Sequence, residues 1–332
     1  MIQTRKKLFL FFSASGQRCH SVTAVSSSFR TSEPGNPRCL VALQALYAPV
    51  LLAMSRTTGL RVSIGQLCSR ASVEQNLIEI DRLARAAQSE ASKMLFLPEN
   101  ACFMGVPGTS MSLEVAESLD DDSGAAGTII PRLGEICQRY KLWLSVGGFQ
   151  EKVSGEEGVG KIHNTHIVID DGGRIVSRYR KIHLFDYKHL KESLLTVPGT
   201  TTEVCETPFG LNLGLSVCFD LRFPSLYQRL REQGANVMLI PAAFTVDTGR
   251  AHWETLIRAR AIETQSWVIA AAQSGRHNEK RESYGHGMVV DPWGKVVVCL
   301  KGDQASVETF ELDIGLVDEV RRRFVIKQRL SM

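Results

Sequence analysis

A single domain of mixed α/β type, covering about residues 60–330, is what the sequence predicts, and three observations predict it. Short apolar runs of strand length alternate with segments whose apolar residues recur at helical spacing. Hairpins stand beside the strand–helix units, which argues against a purely parallel, doubly wound sheet. Beyond residue 55 no internal repeat, low-complexity linker or break in composition divides the chain.

The first strand is expected over 61–67, and a helix follows over 73–91. In that helix Val73, Leu77, Ile80, Leu83, Ala84 and Ala87 share one face, which a sheet must cover. Strand 93–97, a helix over about 125–140 and strand 142–149 continue the βα alternation. Strands 162–169 and 174–179 flank Asp170-Asp171-Gly172-Gly173, turn residues that close a hairpin. Strand 211–217 leads into helix 224–233, which Pro224 opens with its fixed φ and missing N–H. Strand 236–240 leads into helix 251–264, and strand 267–272 into a second hairpin turning at Asp291-Pro292-Trp293-Gly294.

At 332 residues and 44% hydrophobic, the chain has ample apolar material for a large core. Its net charge of +4 is small for the length and implies no nucleic-acid partner. The 8 cysteines are widely spaced without a CxxC pair, so free thiols in a reducing compartment are expected in place of a zinc site or disulfide framework. Residues 1–55 differ: Arg5, Lys6, Lys7, Arg18 and Arg30 lie among serines with no acid before Glu33. That is the composition of a transit peptide, and an organelle address, chloroplast or mitochondrion, is the leading expectation. A disordered tail and a secretory signal are the alternatives, although the apolar run Leu8 to Phe12 stops early for the latter. The apolar stretch Leu40 to Ala53 falls short of the roughly 20 residues that span a bilayer, so no membrane partner is expected. Met54 reads as a second start, whose product would stay in the cytosol.

Chemistry is most legible at Cys218, where an alternating strand stops and a Pro-started helix follows within a few residues. Such an elbow exposes the sulfur, aims a helix N-terminus at it to favour thiolate, and offers backbone N–H groups to an oxyanion. The competing reading is a cysteine packed as a small hydrophobe. Of the 8 histidines, His163 and His166 are spaced like metal ligands, yet residues three apart on a strand point to opposite faces. Core or solvated positions are expected for both. Glu99 ends the apolar strand Lys93 to Leu97 after Pro98, and Lys181 ends the strand Arg174 to Arg180; each alone reads more readily as an exposed strand-end charge. Arg276, His277, Lys280 and Arg281 form a compact basic loop able to pair with carboxylates, or else a solvated turn.

Three segments, FLPEN around Glu99, YRKIHLFD around Lys181 and LSVCFDLRFP around Cys218, resemble the catalytic signatures of the nitrilase superfamily of carbon–nitrogen hydrolases, in the same chain order. The resemblance spans about residues 60–330 and implies a four-layer αββα sandwich that pairs into a homodimer. It also implies Glu99 as general base and acid, Lys181 and the Phe219 N–H as oxyanion donors, and Cys218 as nucleophile, with no metal and no cofactor. A fourth acidic group would correspond to Glu192, ahead of Pro198-Gly199, although the stretch Tyr187 to Lys191 before it is shorter than the family usually has. Segments 251–265 and 272–294 look most like the deaminated glutathione amidase branch. That likeness implies cleavage of the linear amide between a 2-oxoglutaryl group and cysteinylglycine, with Arg222, Arg276, His277, Lys280 and Arg281 as contacts for an anionic small molecule. An ω-amidase acting on 2-oxoglutaramate, another amidase of the same superfamily, and a non-catalytic scaffold are the alternatives.

Overall fold

The computed structural model describes residues 59–120, 127–154, 160–187, 190–302 and 304–326. The expectations for residues 1–55, the targeting segment and Met54 among them, lie outside the described residues. In chain order the strands of the first half are β1 (Leu60–Gln66), β2 (Met94–Leu97), β3 (Trp143–Lys152), β4 (Ile162–Ile169), β5 (Ile175–Arg180), β6 (Asp186–Tyr187) and β7 (Leu190–Lys191). They are followed by β8 (Val204–Glu206), β9 (Asn212–Leu215), β10 (Val237–Leu239), β11 (Trp267–Ala270), β12 (Ser274–Asn278), β13 (Arg281–Tyr284), β14 (Met288–Val290), β15 (Val296–Cys299) and β16 (Ser306–Leu312). The helices are α1 (Val73–Ser89), α2 (Met111–Glu114), α3 (Ile129–Tyr140), α4 (Pro224–Glu232), α5 (Val246–Thr264) and α6 (Gly315–Arg323).

Two six-stranded sheets stack face to face, one in the order β16-β1-β2-β3-β4-β5 and the other β15-β14-β11-β10-β9-β8. Each is built on a parallel trio, β1-β2-β3 or β9-β10-β11, joined through helices and extended by antiparallel strands. Read from the first strand of each trio, the two sheets have the same topology: an antiparallel neighbour on one side, and a two-strand antiparallel extension beyond the third strand.

Strand alternation sends β2 residues two ways. Leu95 and Leu97 face outward against Leu77, Ile80, Leu83 and Ala84 of α1 and Leu133 and Cys137 of α3. Met94 and Phe96 face inward, joining Val62, Ile64, Val168 and Tyr179 in a core that continues through the second sheet to Leu226, Leu230, Trp253 and Ile257 of α4 and α5. At about 1.5–3 kcal/mol for each fully buried large apolar side chain, these two cores supply the favourable term of folding. The result is the four-layer αββα sandwich. Helix α1 begins where expected because the Ser72 hydroxyl accepts the Gln75 N–H, the usual N-cap bond.

Some elements differ from expectation. Helix α5 starts at Val246, ahead of residue 251, and residues 274–284 form the β12–β13 hairpin in place of a loop. Strand β3 runs on to Lys152, with its register shifted between Val146 and Phe149. The three segments that resemble catalytic signatures all leave their sheets at the C-terminal ends of strands: Glu99 just after β2, Lys181 just after β5, and Cys218 just after β9. Crevices at such strand ends are where α/β proteins place ligands.

Candidate active site

Glu99, Lys181 and Cys218 converge in one cavity of about 390 Å³, walled also by Asn164, Glu192, Phe219, Arg222, Ala243, Phe244 and Arg281 and by the segment Phe103 to Ser110. The lysine is buried between two carboxylates: its Nζ donates to Glu99 Oε1 at 3.1 Å and to Glu192 at 2.9 and 3.1 Å. Asn164 Nδ2 bridges the same pair, donating to Glu99 Oε1 at 3.0 Å and Glu192 Oε1 at 2.8 Å. The other Glu99 oxygen accepts the Ala243 N–H at 3.0 Å, and the second Glu192 oxygen accepts the Phe185 N–H at 2.7 Å. The Cys218 thiol lies beside the Glu99 carboxylate, close enough for each to shift the other's pKa, and the Cys218 N–H donates to Pro241 O at 2.9 Å. The backbone at Cys218 is left-handed, with φ of 49°, a strained state for a side chain with a Cβ.

Local sequence explains how the carboxylate gets there. Gly147 and Gly148 sit at the β3 bulge beside Glu99, and a Cβ on Gly148 would lie 2.3 Å from Asn100 N and 2.7 Å from Glu99 Cγ. Only glycine lets the backbone approach this closely. On the other side, β6 and β7 pair as a short hairpin, so the abbreviated stretch before Glu192 still delivers its carboxylate to Lys181.

Burial works against every charge here, and the neighbours decide the outcome. For Glu99, burial alone would raise the carboxyl; Lys181, then Arg281, then hydrogen bonds from Cys218 and Asn164 outweigh it and hold the group below its ordinary value. Lys181 loses solvation too, yet Glu192 and Glu99 keep the ammonium well above its ordinary value. The Cys218 thiol is pushed well above its ordinary value by burial and then by Glu99, with Lys181 only partly opposing. This corrects the expectation of a thiolate favoured by a helix dipole. The elbow closes into a 3-10 turn over Cys218–Arg222 before α4 starts, and the buried sulfur faces a carboxylate. The resting arrangement is a neutral thiol beside an ionised base and a fixed cation, suited to delivering a nucleophile only as its proton leaves.

The remaining sequence candidates divide. Phe219, Arg222 and Arg281 line the cavity; the Arg222 guanidinium lies 5.5 Å from the Phe244 ring centroid and 3.3 Å from His252 Nδ1. Arg276 and Lys280 are exposed and absent from the cavity wall, and Arg276 pairs with Glu282 at 3.4 Å. His277 is buried elsewhere, bonded to Ser69 O at 2.9 Å and the Ser283 hydroxyl at 2.8 Å, and burial drops its pKa to about 4. The physical reason is the hairpin: strand alternation splits the supposed loop, sending Arg276 and Glu282 outward while Arg281 faces inward. His163 and His166 are both buried, and among the described residues no cluster of metal-ligating side chains forms. Asn164 and Ala243 escaped the sequence reading. Asn164 stands opposite Gln150 across β3 and β4, and a polar residue on an inward strand position was the available signal; Ala243 acts through its backbone, which no side chain announces.

Comparison with known proteins agrees with this geometry. The sequence profile of the family described as Carbon-nitrogen hydrolase matches residues 61–322. A Dictyostelium discoideum protein named deaminated glutathione amidase is 39% identical over 275 residues, covering 80% of this chain and 92% of its own. The crystal structure of the C. elegans NitFhit protein superposes with a TM-score of 0.72 at 37% identity, covering 80% of this chain and 64% of that one, so this chain spans less than two thirds of NitFhit. Saccharomyces cerevisiae Nit3, a member of branch 10 of the nitrilase superfamily, superposes with a TM-score of 0.71 at 26% identity, covering 82% of this chain and 96% of its own. A profile that runs from β1 into α6 and folds of this likeness leave one assignment: the chain belongs to the carbon–nitrogen hydrolase family, within the nitrilase superfamily.

Proposed function

We propose that the chain is an amidase that hydrolyses deaminated glutathione to 2-oxoglutarate and cysteinylglycine through a thioester on Cys218. The observation that carries the reading is the meeting of one carboxylate, one ammonium and one thiol in a single cavity, with the carboxylate and the ammonium hydrogen-bonded to each other. Glu99 takes the thiol proton as the sulfur bonds to the amide carbon. The oxygen then carries the charge, and Lys181 and the Phe219 N–H hold it. Collapse breaks the carbon–nitrogen bond while Glu99 returns the proton to the departing amine. A water, deprotonated by Glu99, attacks the thioester, and the thiol leaves with that proton. Glu192 keeps Lys181 in place between the two carboxylates throughout.

Support for the substrate comes from the name of the Dictyostelium relative and from charge. Glu99, Glu192 and Lys181 satisfy one another, whereas Arg222 and Arg281 line the cavity without a direct carboxylate ion pair among the described residues. Two guanidinium groups suit a substrate with a carboxylate at each end. The test is kcat/KM of the purified chain on deaminated glutathione and 2-oxoglutaramate side by side, with Cys218→Ala as control. Deaminated glutathione is expected to be preferred by at least about tenfold, a little over 1 kcal/mol. Cys218→Ala is expected to cost more than about 10³-fold. Preference for 2-oxoglutaramate would make the chain an ω-amidase, and an unchanged rate in Cys218→Ala would sink the mechanism.

A further inference from the structure

We propose that Asp220 is a positioning residue for this reaction: a single buried carboxylate that fastens the strand end presenting Lys181 to the elbow presenting Cys218. The inference rests on the reading of Cys218 as nucleophile and Lys181 as its partner. Asp220 is fully buried and accepts four hydrogen bonds. Its Oδ2 takes the Tyr179 hydroxyl at 2.8 Å and the Val217 N–H at 2.9 Å. Its Oδ1 takes the His183 N–H at 3.1 Å and the His183 ring at 2.7 Å, where Nδ1 must donate because a carboxylate only accepts.

The donors show what is being fastened. Tyr179 and His183 stand two residues before and two after Lys181, and the Tyr179 hydroxyl also receives the Ile182 N–H at 3.2 Å, which fixes the turn out of β5. Val217 immediately precedes Cys218, and Asp220 N–H donates back to Val217 O at 3.1 Å, closing the elbow on itself. The His183 ring is stacked on Phe223 with centroids 3.6 Å apart and planes at 7°, so its donor direction is fixed as well. A left-handed cysteine persists only where its surroundings over-determine it, and this carboxylate holds the residue just before it. Asp220 is not on the cavity wall, so it acts through the two segments it joins.

A carboxylate suits this position because it offers two oxygens with room for four donors. An amide offers one such oxygen and turns an NH₂ group toward two of the donors. Loss of the clamp lets the sulfur and the ammonium drift relative to each other, and a displacement near 1 Å costs a rate of order 10²-fold. Substrate contacts are untouched, so KM should hold.

The test uses the full chain as Asp220→Asn and Tyr179→Phe. Two readouts are kcat and KM on an accepted amide, and the rate at which iodoacetamide alkylates Cys218, followed by peptide mass. Cys102 and Cys137, buried in the other core, report whether the fold is intact. Asp220→Asn is expected to lose about 10²-fold in kcat. Tyr179→Phe, which removes one hydroxyl, is expected to lose about 2- to 10-fold. In both, KM should stay within about twofold and Cys218 alkylation should slow while Cys102 and Cys137 remain protected. Wild-type kcat and wild-type Cys218 alkylation in both folded variants would overturn the proposal. If Asp220→Asn exposes Cys102 and Cys137, Tyr179→Phe decides alone. Alkylation needs no substrate, so a chain inert toward amides whose Cys218 still slows in the variants would sink the amidase reading and keep the clamp.

Discussion

Cys218 is protonated at rest because burial and Glu99 both oppose a negative sulfur, and this sets the pH behaviour of the site. Glu99 is held below its ordinary value, so it is a carboxylate at any pH above the usual carboxylate range; Lys181 is held above its ordinary value, so it keeps its proton through alkaline pH. Neither group changes charge near neutrality. We therefore expect kcat/KM to stay flat, within about twofold, between roughly pH 6.5 and 9. A free thiol acting by prior ionisation would instead give a rise with a midpoint of about 8.5. Such a rise in the measured profile would remove Glu99 as the base. At this scale the sequence was partly legible. Strand-end placement brings Glu99, Lys181 and Cys218 into view without ranking them above other residues; the first two lie 82 residues apart, and only the resemblance to family signatures ties the three together. Protonation was misjudged because the sequence shows a helix start near the sulfur and hides the carboxylate opposite it.

The elements show why the chain is written as it is around the site. Gly148 lies in the β3 bulge with φ of 65°, and a methyl there would push on Asn100 and on Glu99 itself. Gly148→Ala is expected to lower kcat by at least about tenfold and to cost on the order of 1–3 kcal/mol, since both a strained φ and a displaced backbone result. Steady-state kinetics with urea unfolding on the same preparation would check it; a variant matching wild type in both would mean the bulge yields freely. Elements with strong periodicity were readable, α1 and the β4–β5 hairpin above all. The β12–β13 hairpin was not, because its residues are polar and charged and carry no apolar alternation. Helix α5 starts ahead of the expected residue 251 even though Gly249, a poor helix former, stands in its first turn. In the structure that glycine lets α5 lie against Tyr284, whose ring atoms a Cβ would meet at 2.2 Å.

Across the whole molecule, the stacked sheets are joined near the site by a buried polar link. His166 of the first sheet accepts from the Ser145 hydroxyl at 2.7 Å and donates to Ser216 O, beside the second sheet, at 3.0 Å. Burial lowers its pKa from 6.5 to about 4, so the ring is neutral and both nitrogens are used. The unfolded chain binds a proton in that interval and the folded one does not. Stability is therefore full above about pH 6.5 and falls as pH drops toward 4, by roughly 3 kcal/mol for this group. His277, lowered to the same value, adds a term of the same sign. Urea unfolding at pH 7 and pH 4 should show the loss, and His166→Asn should flatten about half of the slope; an equally steep slope in the variant would clear His166 of it. The matching topologies of the two sheets could not be read from the sequence, since strand order is carried by long-range pairing and leaves no repeat in the residues. One such pairing, Leu60 with Leu312, sets β1 against β16, the first and last strands among the described residues. Until β16 is there to pair with it, β1 keeps an open hydrogen-bonding edge, so folding leaves a sticky seam along the first sheet until that long-range contact forms.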